Sequence, residues 1–285
     1  MATLLDFRRR IRSVKNTQQI TRAMKFVAAA RLRRAQESAL AARPYAQELA
    51  KMLRSIMGRI DEPQHPLLAI RPEERVLVIV LTGERGLAGA FNTNILKKAN
   101  EVFRAHKGKK LSVIPVGKKG RDALKRAEFD FAAEFINVLA KVEFSTAREI
   151  ADLVTELYSK ETIDAVYIVF SEFKNVISAN LVAEKLLPIE KIAAAEGESQ
   201  TDYIYEQPAE KLLERLLPRY VETAVLRAML ESSASEYAAR MTAMEAATKN
   251  AGEVIQALTL HMNKVRQAAI TREIIEIVSG ASSTA

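Results

Sequence analysis

The sequence predicts an α/β protein dominated by helix: a long antiparallel coiled coil of the N- and C-terminal helices, with a parallel α/β domain between them. Two observations predict the coil, since an apolar seam at heptad spacing runs through each end of the chain. A third predicts the central domain, where buried strands alternate with helices. The expected division is an N-terminal helix over 1–60, a central domain over 70–207 and a C-terminal helix over 208–285.

The N-terminal seam steps by three and four residues without a break, and thirteen of its sixteen positions are apolar. Its members are Leu4, Phe7, Ile11, Val14, Gln18, Thr21, Lys25, Ala28, Leu32, Ala35, Ala39, Ala42, Ala46, Leu49, Leu53 and Ile56. Such a pattern is typical of a helix wrapped on another helix, and the many alanines predict a close approach of the partner. We expect Pro44 to bend this helix or to start a new segment.

The three polar exceptions in this seam are consecutive: Gln18, Thr21 and Lys25. Beside them runs a second apolar stripe at Ile20, Met24 and Val27. The apolar face therefore rotates around the helix over these turns.

The C-terminal seam has the same spacing, with eleven of twelve positions apolar. It consists of Leu230, Ala234, Tyr237, Met241, Met244, Thr248, Ala251, Ile255, Leu258, Met262, Val265 and Ala269. Pro218 should kink or delay this helix, and Gly280 should end it. Helices of this length need packing to persist, so the two seams most simply bury each other in antiparallel orientation.

The middle of the chain changes pattern. Strands are predicted at Arg75–Leu81, Leu111–Val116 and Ala165–Phe170, with a weaker fourth at Asp202–Glu206. Helices are predicted at Asn92–His106, Arg121–Ala127 and Thr146–Ser159, the last with a Thr146/Glu149 capping box. This alternation favours a small Rossmann-like parallel sheet.

Composition narrows the possible functions. The 285 residues are 48% hydrophobic and 27% charged, which is ordinary for a globular protein. The absence of cysteine excludes disulfides, thiolate metal sites and thiol catalysis. The longest aliphatic run, Val76–Leu81, has six residues, far short of the roughly 20 of a membrane-spanning helix. The start has too few apolar residues for a secretory signal, and we expect no presequence.

Positive charge is concentrated at the N-terminus. The formal net charge of the chain is +8, whereas residues 1–60 hold fourteen Lys or Arg and three acidic residues, a net charge of +11. A helix this basic requires either solvent or an acidic partner around it. Met24 lies among these cations, so either a contact surface or simple core filling fits its spacing.

Enzyme-like motifs are weak. The stretch from Thr82 to Asn92 follows a strand and opens a helix, where phosphate loops occur, but it matches neither the dinucleotide fingerprint nor the phosphate loop. A tight turn is the favoured interpretation. His65, His106 and His261 are isolated and are expected on loops or helix surfaces, and we expect no metal and no cofactor. The acid pairs Glu73/Glu74 and Glu196/Glu198 resemble solvated loop residues.

Three stretches together resemble the gamma subunits of F-type ATP synthases. They are Ser13–Ala30, the turn Arg85–Asn92 and Ile270–Ala281, in matching order and over the whole chain. The resemblance implies a rotating shaft inside a hexamer of three alpha and three beta subunits. It also implies a central domain that touches the epsilon subunit and the membrane ring of c subunits.

The same resemblance implies the contact residues. Met24, with Lys25 and its other basic neighbours, would face an acidic lever of the beta subunits. Arg266, Gln267, Thr271 and Glu273 would meet a beta-subunit loop, although spacing alone fits a solvated face equally well. Arg8, Arg9 and Arg10 are the N-terminal cations expected to contact acidic partner surfaces.

The leading interpretation is therefore a mechanical subunit with no catalytic site, peripheral on the cytoplasmic face of a bacterial cell membrane. The alternative from another class is a basic coiled-coil nucleic-acid-binding protein, because fourteen cations in sixty residues would suit phosphates. Only three aromatic residues lie in that zone to stack on bases, which disfavours the alternative. A Rossmann-like enzyme with helical arms is disfavoured by the incomplete glycine motif.

Overall fold

The computed structural model describes residues 3–58, 65–176, 178–189 and 208–283. These residues form two compact units. We call residues 3–28 with 241–283 the terminal coil, and the described part of 29–240 the sheet unit. The α-helices are α1 (Leu4–Met57), α2 (Phe91–Ala105), α3 (Lys118–Arg126), α4 (Phe144–Ser159) and α5 (Ala209–Ser283). The strands are β1 (Arg75–Leu81), β2 (Lys110–Val116), β3 (Asp130–Phe131), β4 (Ala165–Phe173) and β5 (Ala179–Leu187).

The sheet has the strand order β3-β2-β1-β4-β5. β1 pairs in parallel with β2 and β4, so that Val78 lies opposite Val113 and Tyr167. β5 pairs antiparallel with β4, which corrects the expectation of a wholly parallel sheet. The three strong strand predictions are confirmed, β3 and β5 were not predicted, and the weak strand at Asp202–Glu206 lies outside the described residues.

The central strand is buried on both faces, which explains its unbroken aliphatic sequence. Val76, Val78 and Val80 pack with α2 and α3. Leu77, Ile79 and Leu81 face a larger core that includes α4, the last turns of α1 and the first turns of α5. The sheet is thus sandwiched between helical layers.

Within the sheet unit, α1 and α5 contact each other in antiparallel sense. The Arg31 guanidinium lies 5.9 Å from the Tyr237 ring centroid, and Arg43 Nη2 lies 2.9 Å from Glu231 Oε1. Every predicted seam position from Leu32 to Ile56 is buried or half-buried. The seam in this segment is therefore confirmed.

The terminal coil is antiparallel as well. The Phe7 and His261 ring centroids are 5.0 Å apart, Thr21 Oγ1 lies 2.8 Å from Thr248 Oγ1, and Lys25 forms an ion pair with Glu245. All predicted seam positions in residues 4–28 and 241–269 are buried or half-buried. In the part of the chain described here, no helix is both long and apolar enough to cross a membrane.

Some helix boundaries differ from the predicted ones. No new segment starts at Pro44, because α1 continues through it, and Pro218 does not delay α5, which is already helical at Ala209. The bend at Pro44 and the kink at Pro218 stay predictions. α5 also continues past Gly280 to Ser283, because a glycine costs a helix only about 1 kcal/mol and does not by itself end one.

The predicted capping box of α4 is also absent. This helix begins at Phe144, and its N-cap residue Glu143 makes no side-chain capping bond. A capping box does close the start of α1, where Thr3 N donates to Asp6 Oδ2 and Asp6 N donates to Thr3 Oγ1. The hydrogen bonds from Thr3, first its backbone N–H and then its hydroxyl, lower the pKa of Asp6 below its ordinary value.

Candidate subunit-contact surfaces

The three polar positions of the N-terminal seam face the partner helix, as its apolar positions do. Gln18 Nε2 donates to Thr248 O at 3.3 Å, and the Thr21 and Thr248 hydroxyls are hydrogen-bonded. Lys25 Nζ lies 2.5 Å from Glu245 Oε1. The buried face therefore does not follow the rotation of the apolar face, because these polar side chains find partners on the facing helix.

The second stripe is consequently exposed instead of buried. Ile20 is 60% exposed and Val27 is 54% exposed, while Met24 between them is half-buried. Phe26 beside them is 61% exposed. Apolar side chains that reach solvent next to Arg22 form a surface suited to a partner with apolar and acidic groups.

The predicted N-terminal contact residues Arg8, Arg9 and Arg10 are all exposed. They occupy the second turn of α1, just after the capping box. Their guanidinium groups form no ion pair with any residue that the structure describes. The structure thus brings these three cations to solvent, as a salt-sensitive contact with an acidic surface would require.

The predicted C-terminal contact residues Arg266, Gln267, Thr271 and Glu273 are exposed as well. The seam positions Val265 and Ala269 next to them are half-buried. The Thr271 hydroxyl donates to the Gln267 carbonyl at 2.9 Å, so it is held within its own helix.

An exposed apolar segment beside these residues was missed at the sequence level. Large aliphatic side chains between 48% and 72% exposed cover several faces of α5 here. They are Ile270, Ile274, Ile275, Ile277 and Val278. The signal was present, because adjacent isoleucines cannot all lie on one seam. A monomeric protein rarely exposes so many large aliphatic side chains together, and such a patch is typical of a surface that another molecule covers.

The glycine turn lies at the carboxyl end of β1, where a phosphate would bind in a Rossmann-like domain. In this chain, side chains of α5 occupy the space beside the turn where a phosphate would bind. Gly83 N donates to Asn92 Oδ1 at 2.8 Å, and an added Cβ on Gly83 would lie 2.7 Å from Glu236 Oε1. Burial raises the pKa of Glu236, although its ion pair with Arg240 opposes this effect. A buried carboxyl group against the turn is a poor neighbour for a phosphate.

The histidines and loop acids were predicted only in part. His65 caps a short 3-10 turn, and His261 packs on Phe7, but His106 is buried, with its ring nitrogens near Val102 O and Glu73 Oε2. Glu73 is not a solvated loop acid, because it also lies 2.9 Å from Lys185 Nζ. Glu196 and Glu198 lie outside the described residues. No group of three metal-ligating side chains occurs in the described ranges.

The sheet unit also has a cleft of about 580 Å³ between α1, α5 and the end of β4. Charged side chains of both signs line it, including Arg43, Glu231, Glu184 and Arg227. Arg43 pairs with Glu231 and Arg227 pairs with Glu184. Since these charges neutralise one another, the cleft offers no strong field to a charged ligand.

The chain is similar in sequence to known proteins over nearly its whole length. The family model described as ATP synthase matches residues 3–284. The chain is 50% identical to the ATP synthase gamma chain of Solibacter usitatus and 46% identical to that of Pelotomaculum thermopropionicum, and each alignment covers 99% of both chains.

Solved structures resemble the fold. The rotor of Euglena gracilis mitochondrial ATP synthase in rotational state 1 aligns with a TM-score of 0.70 at 24% identity, covering 94% of this chain and 98% of that one. The central stalk and c-ring structure of Tetrahymena thermophila mitochondrial ATP synthase contains a chain that aligns with a TM-score of 0.61 at 25% identity, covering 80% of this chain and 99% of that one. With a matched family model and full-length relatives at this identity, the chain belongs to the ATP synthase gamma-chain family.

Proposed function

We propose that the two exposed surfaces of the terminal coil are where this subunit acts on the catalytic subunits of its complex. The gamma-chain relatives and the rotor structures support a central-stalk role in an F-type ATP synthase. In that role the chain performs no bond chemistry. It couples ion flow through the membrane ring to ATP synthesis or hydrolysis by making different contacts with different conformers of the beta subunits.

One observation carries this proposal. The seam of the terminal coil is satisfied by its own partner helix even at its polar positions. The remaining exposed apolar side chains, Ile20 and Val27 on α1 and the five aliphatic ones from Ile270 to Val278 on α5, are therefore left for another protein to cover. Contacts of alpha and beta subunits with these surfaces, and of Met24 and Lys25 with an acidic beta-subunit lever, follow from this proposal.

Arg266 and Gln267 fit a contact that must form and break on every turn. Both are exposed, and together they offer several directional donors and one acceptor. Hydrogen bonds of this kind contribute about 0.5–1.5 kcal/mol each, or up to roughly 3 kcal/mol when charged. Such energies bias a beta subunit between conformers and still allow release. Thr271 and Glu273 belong to the same proposed contact.

The remaining partners and the location follow from the same role. We assign contacts with the epsilon subunit and the c-subunit ring to the sheet unit, and we place the chain peripherally on the cytoplasmic face of a bacterial membrane. Nucleic acid is not among the partners that we propose. The division into parts 1–60, 70–207 and 208–285 stays a prediction.

The test replaces Arg266 and Gln267 together with alanine. The free energy of unfolding of the isolated subunit, followed by thermal melting, should change by less than about 0.5 kcal/mol, because both side chains face solvent. The subunit should still co-purify with alpha and beta subunits, while ATP turnover or its coupling to ion pumping falls. Lys249→Ala with Asn250→Ala is the matched control, since it removes one exposed cation and one exposed amide elsewhere on α5.

Two results would contradict the proposal. One is a large loss of subunit stability with normal turnover in the assembled enzyme, which would place Arg266 and Gln267 in the coil's own core. The other is equal loss of turnover in the Lys249→Ala/Asn250→Ala control, which would show that no specific contact is involved.

A further inference from the structure

A second concentration of positive charge lies in the sheet unit. Residues 97–126 hold eleven Lys or Arg against two acids, a net charge of +9 in thirty residues, and extending the window to Phe131 still leaves +7. Eight of these cations are exposed and pair with no acid among the described residues. They are Lys97, Arg104, Lys107, Lys110, Lys118, Lys119, Lys125 and Arg126.

The topology gathers five of them at one edge of the sheet. β1, β2 and β3 are parallel, so α2 and α3 both end at the amino ends of the strands. Arg104 lies in the last turn of α2, Lys107 follows the helix, Lys110 begins β2, and Lys125 and Arg126 end α3. The Phe103 and Phe129 ring centroids are 4.4 Å apart and hold the two helix ends together. We call Arg104, Lys107, Lys110, Lys125 and Arg126 the basic edge.

Helix ends alone do not account for this charge. Cations near the last turn of a helix are stabilised by its dipole, which explains Arg104, Lys125 and Arg126. Lys107 and Lys110 lie outside both helices. Exposed unpaired cations at such density repel one another, and an anionic surface outside the unit would relieve this repulsion more than solvent and counterions do.

The chemistry of the basic edge favours a lipid surface over a protein surface. Specific protein interfaces have an apolar centre, but none of the exposed large apolar side chains lies between residues 91 and 126. The Phe103 and Phe129 rings near these cations pack on each other, and neither is exposed, so they offer little surface on which a nucleic-acid base could stack. Long cationic side chains spread over several elements are typical of diffuse attraction to anionic headgroups.

We propose that the basic edge rests against the anionic phospholipid headgroups of the membrane. This inference builds on the proposed function, since the membrane is nearby only if the chain sits in an ATP synthase. Electrostatic attraction of this kind would help to hold the sheet unit at the bilayer as it turns, without a fixed contact that must be broken.

The experiment measures co-sedimentation of the full chain with phosphatidylcholine vesicles that contain or lack phosphatidylglycerol. In the edge variant all five residues are replaced with glutamine. Each cation near an anionic bilayer strengthens binding roughly fivefold, so losing five should weaken partitioning at least tenfold. Binding of the wild type should fall with rising salt and should be much weaker without phosphatidylglycerol.

The matched control replaces five exposed cations of the sheet unit outside the basic edge with glutamine: Arg85, Lys97, Lys118, Lys119 and Lys174. This control changes the net charge by the same amount, and on the isolated chain it should bind anionic vesicles clearly more strongly than the edge variant. An equal loss of binding in both variants would show that net charge, and not the basic edge, attracts the vesicles, and would overturn the inference. Thermal melts should be the same for all three proteins.

The inference is overturned if the edge variant binds anionic vesicles within twofold of the wild type, or if binding does not require phosphatidylglycerol. It is also overturned if the edge variant binds vesicles normally but loses binding to a detergent-purified c-subunit ring, an epsilon subunit or duplex DNA. Failure of alpha and beta subunits to co-purify would contradict the proposed function, whereas the vesicle result from the isolated chain would stand.

Discussion

At the scale of single residues, a buried carboxylate connects two strands of the sheet unit by hydrogen bonds. Asp164, at the start of β4, accepts from Arg75 N at 2.8 Å and from Arg75 Nη2 at 2.6 Å, which ties the amino ends of β1 and β4 together. The side-chain hydrogen bonds from Arg75 hold the pKa of Asp164 below its ordinary value. The Asp164 side chain is only 4% exposed, so its bonds are sheltered from water.

We predict that Asp164→Asn destabilises the chain by about 1.5–3 kcal/mol at neutral pH, because charge-assisted hydrogen bonds are lost. Since the folded pKa is lowered, the contribution of Asp164 is present above its ordinary pKa and is lost as the pH falls through the folded value. The difference between wild type and variant should therefore shrink at low pH in urea unfolding. Asp152→Asn on the exposed face of α4 is the control and should have little effect.

A second prediction at the scale of single residues concerns Gly83. An added Cβ would lie 2.7 Å from Glu236 Oε1 and 2.9 Å from its Cδ, and this side chain is buried and paired with Arg240. Gly83→Ala should destabilise the sheet unit by about 1–3 kcal/mol through overpacking. At Gly86, three residues along the same turn, the nearest atom is Lys119 Cε at 4.0 Å, so Gly86→Ala should be almost neutral in the same melt. Equal effects of the two variants would show that Glu236 yields easily.

At the scale of elements, periodicity predicted the long helices better than local signals did. Every seam position of α1 and α5 is buried or half-buried, because a repeat over many turns averages out single residues. Local signals at Gly280 and Thr146 gave wrong boundaries, and Pro44 starts no new segment, since packing along a long helix outweighs one unfavourable residue. β5 was missed because its residues are mostly half-buried and its sequence has no aliphatic run.

The candidate contact surfaces were predictable only in part. Exposure of Arg266 and Gln267 followed from their place beside the seam. The partners of Gln18, Thr21 and Lys25 did not, because a single sequence does not say which residues of the facing helix lie opposite. Thr248 and Glu245 could be identified only once the register of the two helices was known.

Gly252 on α5 lies against Gln18 on α1, and this contact leads to a prediction for the terminal coil. An added Cβ would lie 3.1 Å from Gln18 Nε2, whose position is held by its bond to Thr248 O. Alanine is favoured over glycine in a helix interior by about 1 kcal/mol, and the close contact offsets this gain. We expect Gly252→Ala to be nearly neutral alone and to stabilise by about 1 kcal/mol in a Gln18→Ala background. Additive effects in this double-mutant cycle would mean that the two residues do not interact.

At the scale of the whole molecule, positive charge is concentrated in two segments, and the stability of the fold does not explain this distribution. The chain carries +8 overall, yet the N-terminal sixty residues and the segment 97–126 carry +11 and +9. The rest of the chain is therefore acidic. Two separate positive regions in one rotor subunit suit two different anionic neighbours, protein at the terminal coil and lipid at the basic edge.

This separation leads to a final prediction about assembly. Replacing Arg8, Arg9 and Arg10 with glutamine should weaken association with the alpha–beta hexamer, mainly by slowing it, since exposed charges act on encounter rates. The wild-type association rate should fall as salt rises, and the variant should be less sensitive to salt. Stopped-flow association at several salt concentrations measures both quantities.

The control for this prediction replaces three cations of α3 with glutamine: Lys118, Lys119 and Lys125. These side chains are exposed too, and their replacement changes the net charge by the same amount. If that control slows association as much as the N-terminal variant, net charge rather than a local contact with α1 steers assembly. If neither variant nor salt changes the rate, the terminal coil enters the hexamer without electrostatic guidance.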